Sequence, residues 1–271
     1  MASSGVKIPM TSQGMSNLLL QSTYALNKSH SKRVLIGLDN SNGGILKPVI
    51  KFSTNTSKYV TFDEEEWIAL VNEMEYIRTY LRDCYQQHET NILHLPKHLI
   101  RFTSAYGSRA ISLEEKTESL MRQLAAQLGY SEPAPAVTDD NHQRRKCGEK
   151  APPTTVMQLS TFEGLIQVRE CIDARLKILK EMTPAVVGIL DEITRILHDE
   201  LNKEDEATRT DVTTNSLAFV RYYTLRKVEI ENVVRVEMKS TEFNENTVNL
   251  ILAEILSFSL PTYRTIIASD I

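Results

Sequence analysis

The stretch KPVIKFSTNTSKYVTFDEEEWIALVNEMEYIRTYL, residues 47–81, changes period in its middle, and that change decides the fold. From Lys47 to Ser53 and from Lys58 to Phe62 the side chains alternate around the polar turn Thr54–Ser57, with Ile50 and Phe52 on one face and Lys47, Val49 and Lys51 on the other. Period-two alternation marks a half-buried strand, so the segment predicts a hairpin. Asp63-Glu64-Glu65-Glu66 then loads carboxylates where a helix's first turn favours them, and Trp67, Leu70, Val71, Met74, Ile77, Leu81 and Cys84 recur at helical spacing. Upstream, Val34, Ile36 and Leu38 share one face of a strand over Lys32–Asp39, and Asn40–Gly44 supplies a turn.

Sliding the chain by about fifty residues lays VIKFSTNTSKYVTFDEEEWIALVNEM over LIRFTSAYGSRAISLEEKTESLMRQL. Ile50, Phe52, Glu64, Glu65 and Leu70 meet Ile100, Phe102, Glu114, Glu115 and Leu120, so residues 24–130 read as one domain holding two sheet-and-helix segments. Residues 1–23, rich in Ser and Thr, read as a mobile tail in which Leu18–Leu20 docks as a short helix. Residues 131–158 hold four of the nine prolines and few large apolar side chains, which predicts a linker.

Beyond it, residues 159–271 predict a helix-rich α+β domain with a small sheet. Phe162, Leu165, Ile166, Ile172, Leu176 and Leu179 mark a helix stopping near Pro184, and Ile189, Ile193, Ile196, Leu197 and Leu201 mark another. The run RKVEIENVVRVEMKSTEF alternates as a strand before the acidic step Phe243-Asn244-Glu245 and a further helix. The fold class is therefore α+β, with small antiparallel sheet-plus-helix units in the N-terminal part and helices dominating the C-terminal part.

A length of 271 residues suits one large or two smaller domains, and 41% apolar with 24% charged residues is a globular balance. Ten glycines are few for a Gly-rich doubly wound nucleotide fold. A net charge of −4 and a pI near 5.9 exclude indiscriminate polybasic binding. Three cysteines without a secretory pattern point to a reducing compartment, cytoplasm or nucleus, and the apolar run around Leu250–Leu260 is too short and interrupted to span a bilayer.

Charge nevertheless separates by element. From Ser22 to Phe62 there are six basic residues (Lys28, Lys32, Arg33, Lys47, Lys51, Lys58) against Asp39 alone, whereas Asp63–Glu89 holds eight acids against Arg78 and Arg82. Lys97, Arg101 and Arg109 carry the basic bias into the second hairpin, and Tyr59 and Tyr106 stand beside such residues. Cations for phosphates beside rings for stacking are what single-stranded nucleic acid needs, and an ordinary solvated sheet face with edge lysines is the bland counterpart.

The strands followed by residues 47–81 resemble the positive cofactor four family, transcriptional coactivators that bind single-stranded DNA through a curved four-stranded sheet followed by a dimerising helix. Lys47-Pro48, the strand ending at Phe62, Asp63-Glu64-Glu65, Trp67, Leu70, Ile77 and Leu81 carry the resemblance, over about residues 30–82. It implies binding of single-stranded DNA or RNA, with Lys32, Arg33, Lys47, Lys51 and Lys58 on phosphates and Tyr59 or Phe52 as stackers. Arg101 and Arg109 extend this candidate site. Trp67, Leu70, Met74, Ile77 and Leu81 offer more apolar surface than one small sheet covers, so they are expected to pack on another helix, from the repeat or from a second chain in a homodimer.

Cys84, His88, His94 and His98 form Cys-x3-His and His-x3-His pairs, but Pro96 interrupts the second, and no metal or cofactor is expected. Cys147, in Arg144-Arg145-Lys146-Cys147, reads as a linker thiol whose basic neighbours form a weak nuclear address. No GxSxG, HExxH, Walker or GxGxxG pattern occurs, and an enzyme is not expected. The function expected is binding of single-stranded nucleic acid in a transcription- or virus-associated role, without membrane contact. The alternative is a non-enzymatic, self-assembling adaptor of nucleocapsid-like or matrix-like type.

Overall fold

The computed structural model describes residues 18–39, 46–53, 59–82, 92–116, 153–238, 245–254 and 256. The chain is α+β: eight described strands form two four-stranded sheets, and long helices fill the C-terminal part. Strands β1 (Leu19–Ala25), β2 (Arg33–Asp39), β3 (Lys47–Ser53) and β4 (Tyr59–Phe62) make one sheet in chain order, followed by helix α1 (Glu64–Arg82). Strands β5 (Ile92–His94), β6 (His98–Ala105), β7 (Ser108–Glu115) and β8 (Thr154–Gln158) make the second, followed by α2 (Leu159–Leu201). Then come α3 (Glu206–Thr214), α4 (Ser216–Met238) and α5 (Glu245–Glu254).

The repeat is thus four strands and a helix, twice over, and its phase differs from the fifty-residue echo by one strand. The echo aligned the β3–β4 hairpin with β6–β7, whereas the hairpin that leads into the second helix is β7–β8. Glu114 and Glu115 are consequently the end of a strand, not the start of a helix, and Leu120 lies outside the described residues.

Chain segments interleave in two compact units, one of residues 1–22, 36–49 and 171–271, the other of residues 23–35 and 50–170. In the second unit Ile50, Phe52, Val60 and Phe62 are fully buried, with Ile50 opposite Phe62 and Phe52 opposite Val60 in the antiparallel register. Helix α1 packs on β4 and β7 through Trp67, Leu70, Met74, Ile77 and Leu81, all buried. Thr155 Oγ1 donates to the Ser53 carbonyl at 3.2 Å where β8 meets the first sheet. Gly164, in the second turn of α2, lies so close to the backbone of Leu26 that an added Cβ would sit 2.0 Å from the Leu26 carbonyl oxygen.

In the first unit, Leu18–Leu20 is buried, but as the start of strand β1 and not as a docked helix. Gly37 makes room for it, since a Cβ there would come within 2.8 Å of Leu18 Cβ and 2.9 Å of the Leu19 carbonyl oxygen. Leu20 adopts φ 55°, a conformation unfavourable for a branched side chain, and its carbonyl accepts from Arg175 Nη2 at 2.7 Å. That local turn buries Leu19 and Leu20 in succession, which alternation would forbid.

Two other elements depart from expectation. Residues 154–158, at the end of the segment read as a linker, form β8 and pair with Ala110–Glu114 of β7; residues 131–152 lie outside the described residues. Pro184 does not end a helix: α2 runs continuously for 43 residues, because Leu179, Val186, Ile189, Leu190 and Ile193 are buried on both sides of it. A proline inside a helix forfeits one backbone hydrogen bond, and burial on this scale offsets that loss.

The run from Arg226 to Met238, read as a strand of a small C-terminal sheet, lies inside α4. Phe219, Tyr223, Ile230 and Val234 are its buried positions, spaced for one helical face, so the core selects the 3.6 period over the local alternation. Tyr223 also donates its hydroxyl hydrogen to the Leu256 carbonyl, and burial pushes its phenol well above the ordinary value. Leu201, Val212 and Phe219 join α2, α3 and α4 in a separate apolar cluster.

Candidate nucleic-acid interface

The β3–β4 register separates two faces of the first sheet. Lys51 lies opposite Thr61, and Ser53 opposite Tyr59, while the intervening pairs are the buried apolar ones. Residues directly opposite share a face, so Lys51 and Tyr59 lie diagonally across the polar face, roughly 7–8 Å apart at the backbone. Lys47, at the start of β3, is exposed; Lys51 and Tyr59 are half-buried. Lys58 lies outside the described residues, as do the segments 40–45 and 54–58, which contain the turns expected from the sequence.

Of the cations proposed for phosphates, Arg33, Arg101 and Arg109 have hydrogen-bond partners inside the chain and Lys32 is half-buried. Arg33 donates from Nε to the His30 carbonyl at 2.9 Å, and its backbone N–H donates to Ser53 Oγ at 2.8 Å. Lys32 is half-buried, and that burial lowers its ammonium below the ordinary value. Arg101, opposite Ser112, donates to Glu114 Oε2 at 2.8 Å. Arg109 stands over the Tyr80 ring, 4.8 Å from its centroid, and donates to the Tyr80 carbonyl at 3.0 Å.

Tyr80 is itself held by edge contact with Phe102 and by donation from its hydroxyl to the Thr103 carbonyl at 2.9 Å. Arg101 and Arg109 therefore serve the β6–β7 hairpin and its contact with α1. Among the described residues the most exposed ring is Tyr106, at 95% exposure on the tip of that hairpin. Tyr106 and Gly107 have φ 52° and 74°, the two positive values of a tight two-residue hairpin turn. The sequence marks this tip by Tyr-Gly between alternating segments, which locates an exposed ring that the candidate site omitted.

Trp67, Leu70, Met74, Ile77 and Leu81, expected to pack on another helix from the repeat or from a second chain, are buried within the chain itself. Strands β4 and β7, in the same unit as α1, pack against it. On the flank of α1, Glu163 accepts from Arg78 Nε at 3.0 Å and from Arg82 Nη2 at 2.6 Å. Those guanidinium bonds hold the Glu163 carboxyl below its ordinary value despite partial burial.

A buried polar cluster went unseen in the sequence. Glu66 Oε2 lies 2.6 Å from His98 Nδ1, with both side chains buried, and Glu66 Oε1 accepts from the Lys97 backbone N–H. His98 packs against the Phe62 ring, centroids 4.3 Å apart, and its Nε2 has no hydrogen-bond partner among the described residues. Asp63 caps α1 by accepting from the Glu66 N–H at 3.0 Å and pairs with Lys97 Nζ. Burial raises the Asp63 carboxyl, but the Lys97 ammonium and the Glu66 N–H outweigh it and hold it low. Lys116 Nζ donates to the Leu95 and Pro96 carbonyls at 2.5 and 3.1 Å, and burial lowers its ammonium.

Glu66 and His98 are both buried, and the pair fixes the start of α1 against β6. His94 is exposed at the end of β5, and Cys84, His88 and Cys147 lie outside the described residues. Among the described residues no group of three or more His, Cys, Asp or Glu side chains is placed to hold a metal ion, and no helix is long and apolar enough to cross a membrane. Comparison of the chain with protein-family models, with curated proteins and with solved structures finds no match.

Proposed function

We propose that the chain binds single-stranded nucleic acid, DNA or RNA, through the polar face of the β3–β4 hairpin. The observation that carries this reading is the division of faces: Ile50, Phe52, Val60 and Phe62 point inward and are fully buried, leaving Lys51, Ser53, Tyr59 and Thr61 on the opposite face. Such a face offers a cation and a ring on adjacent strands without disturbing the core. Lys47 lies further along β3, beyond the buried Val49, and the succession of four antiparallel strands and a helix is the order that the family resemblance implies. Arg101 and Arg109 also have partners within the β6–β7 hairpin and on α1.

The test is to titrate a labelled single-stranded oligonucleotide, a duplex and a single-stranded RNA at several salt concentrations. Single strands should bind most tightly, with an affinity that falls as salt rises. Absence of binding by all three at low salt refutes the proposal and leaves the self-assembling adaptor, which the exposed apolar residues of α4 favour.

A further inference from the structure

The β6–β7 hairpin ends in a turn in which Ala105 pairs with Ser108, and Tyr106 and Gly107 between them both take positive φ, 52° and 74°. Asn-Gly and Asp-Gly suit such a turn, because short polar side chains tolerate the left-handed region. A bulky ring does not, so tyrosine at the first position works against the local backbone. Burial does not offset that cost, since the ring is 95% exposed. Neither turn chemistry nor the core accounts for Tyr106, and a strained, exposed residue on a loop is where a ligand contact is expected.

The tip is held in place. Gln158 Nε2 of β8 donates to the Ala105 carbonyl at 2.8 Å, and the Tyr80 hydroxyl of α1 donates to the Thr103 carbonyl at 2.9 Å. Phe102, on the same hairpin, meets Tyr76 and Tyr80 edge-on. Two elements thus grip the hairpin close to its end and fix where the ring is presented. A Cβ added at Gly107 would meet nothing within 4 Å among the described residues, so the space beside the ring is open.

The chemistry of the hairpin selects the occupant. Thr103, Ser104 and Ser108 are exposed, and residues 90–113 contain Lys97, Arg101 and Arg109 but no Asp or Glu. Among the described residues of this hairpin, Tyr106 is the one large apolar side chain that is exposed. A protein partner would need a contiguous apolar patch of roughly several hundred Å², which a single ring does not supply. A nucleobase is a flat ring that one tyrosine covers, and its phosphates seek cations and hydroxyl donors, not carboxylates. We infer that Tyr106 stacks on an unpaired base of a single-stranded nucleic acid, making the β6–β7 tip a second contact in addition to the β3–β4 face. This contact presupposes the nucleic-acid reading and uses none of the β3–β4 residues.

Affinity for a single-stranded oligonucleotide should fall about tenfold or more in Tyr106→Asn, the loss of one base–aromatic stack, and return to near the wild-type value in Tyr106→Phe. Asparagine suits the left-handed position, so the melting temperature of Tyr106→Asn should equal or exceed that of the wild type. The log–log salt slope should not change, because the ring neutralises no phosphate. In Tyr106→Trp the oligonucleotide should quench the added fluorescence, above the background of the buried Trp67 measured in the wild type. Salt-dependent binding by the wild type with undiminished affinity in Tyr106→Asn, or unquenched emission in Tyr106→Trp, overturns the tip contact and leaves the nucleic-acid reading standing. A Tyr106→Asn variant less stable than the wild type assigns the ring to the fold and also overturns the contact. No binding by the wild type at low salt refutes the nucleic-acid reading and the tip contact together.

Discussion

Glu66 Oε2 and His98 Nδ1 approach to 2.6 Å in a site closed to solvent, and the pair joins the first turn of α1 to the first residue of β6. The contact needs a proton on one of the two groups, and Glu66 Oε1 is already committed to the Lys97 N–H. Removing the carboxylate leaves the imidazole without a partner on either nitrogen among the described residues. Glu66→Ala should therefore destabilise the chain by about 2–4 kcal/mol. Trp67, the single tryptophan, is the adjacent buried residue, so urea unfolding followed by its fluorescence measures the loss directly. A midpoint within error of the wild type would contradict the buried pairing.

Gly164→Ala tests the approach of α2 to the Leu26 backbone. The added carbon would meet a carbonyl oxygen, not a flexible side chain, so the helix or the β1–β2 connection must move. The general helix preference for alanine should be reversed here, with a destabilisation of about 1–3 kcal/mol or more. Thermal unfolding at neutral pH gives the sign, and a stabilised variant would show that the approach is looser than described.

Asp63 and Glu163 both have carboxyls held below their ordinary values, Asp63 by Lys97 and the Glu66 N–H against its burial, Glu163 chiefly by Arg78. A depressed carboxyl contributes stability that is complete above its unfolded value, about 4, and that fades as pH falls through the lower folded value. Asp63→Asn and Glu163→Gln should thus lower the urea midpoint at pH 7 and differ less from the wild type near pH 3. Equal differences at the two pH values would mean that the ion pairs contribute nothing through charge.

The proposed function divides the cations by role, and alanine substitutions test that division. Lys47→Ala with Lys51→Ala should flatten the log–log salt dependence of single-strand binding by about 1.4 if each lysine neutralises one phosphate. Their effect on the melting temperature should be small. Arg109→Ala should do the reverse, costing about 1 kcal/mol of stability by releasing the Tyr80 ring and carbonyl, with little change in salt slope. Arg109→Ala flattening the slope like the lysine variants would return Arg109 to the ligand.

Cleavage between residues 131 and 152 should not yield two independent fragments. Strand β8 pairs with β7 from Ala110–Gln158 to Glu114–Thr154, so the C-terminal piece carries a strand that the N-terminal piece requires. The products should co-elute under native conditions and part only in denaturant. Separation without denaturant would favour a simple linker between two autonomous domains.

What the sequence made legible was whatever obeys a local period. Ile50, Phe52, Val60 and Phe62 alternate and Trp67 to Leu81 repeat helically, so the β3–β4 hairpin and α1 could be read directly. Strand β1 could not, because Leu18–Leu20 has no alternation and depends on a positive φ at Leu20 and on the open space at Gly37. Helix α4 was misread because VEIENVVRV alternates locally, while Phe219 and Tyr223, a turn or more earlier, fix the buried helical face. Glu66 looked like one more carboxylate of a helix start; its partner lies 32 residues away and only the tertiary fold brings them together. The same holds for Arg101 and Arg109, whose positive charge was legible but whose internal partners were not.

The interleaving of the two compact units sets an order for synthesis. The unit built from residues 36–49 lacks the segment from Cys171 onward until most of the chain has left the ribosome, and the other unit lacks β8 for nearly as long. Neither unit can close as its first strands emerge. The pairings within β1–β4 and β5–β7 join strands consecutive in the chain, but the β7–β8 pairing and the contribution of residues 171 onward are distant in sequence, and contacts of that kind form slowly. Until then Leu18–Leu20 and the strand Val34–Leu38 are apolar segments without their final neighbours, and a nascent chain stalled at that point is the form most prone to aggregate.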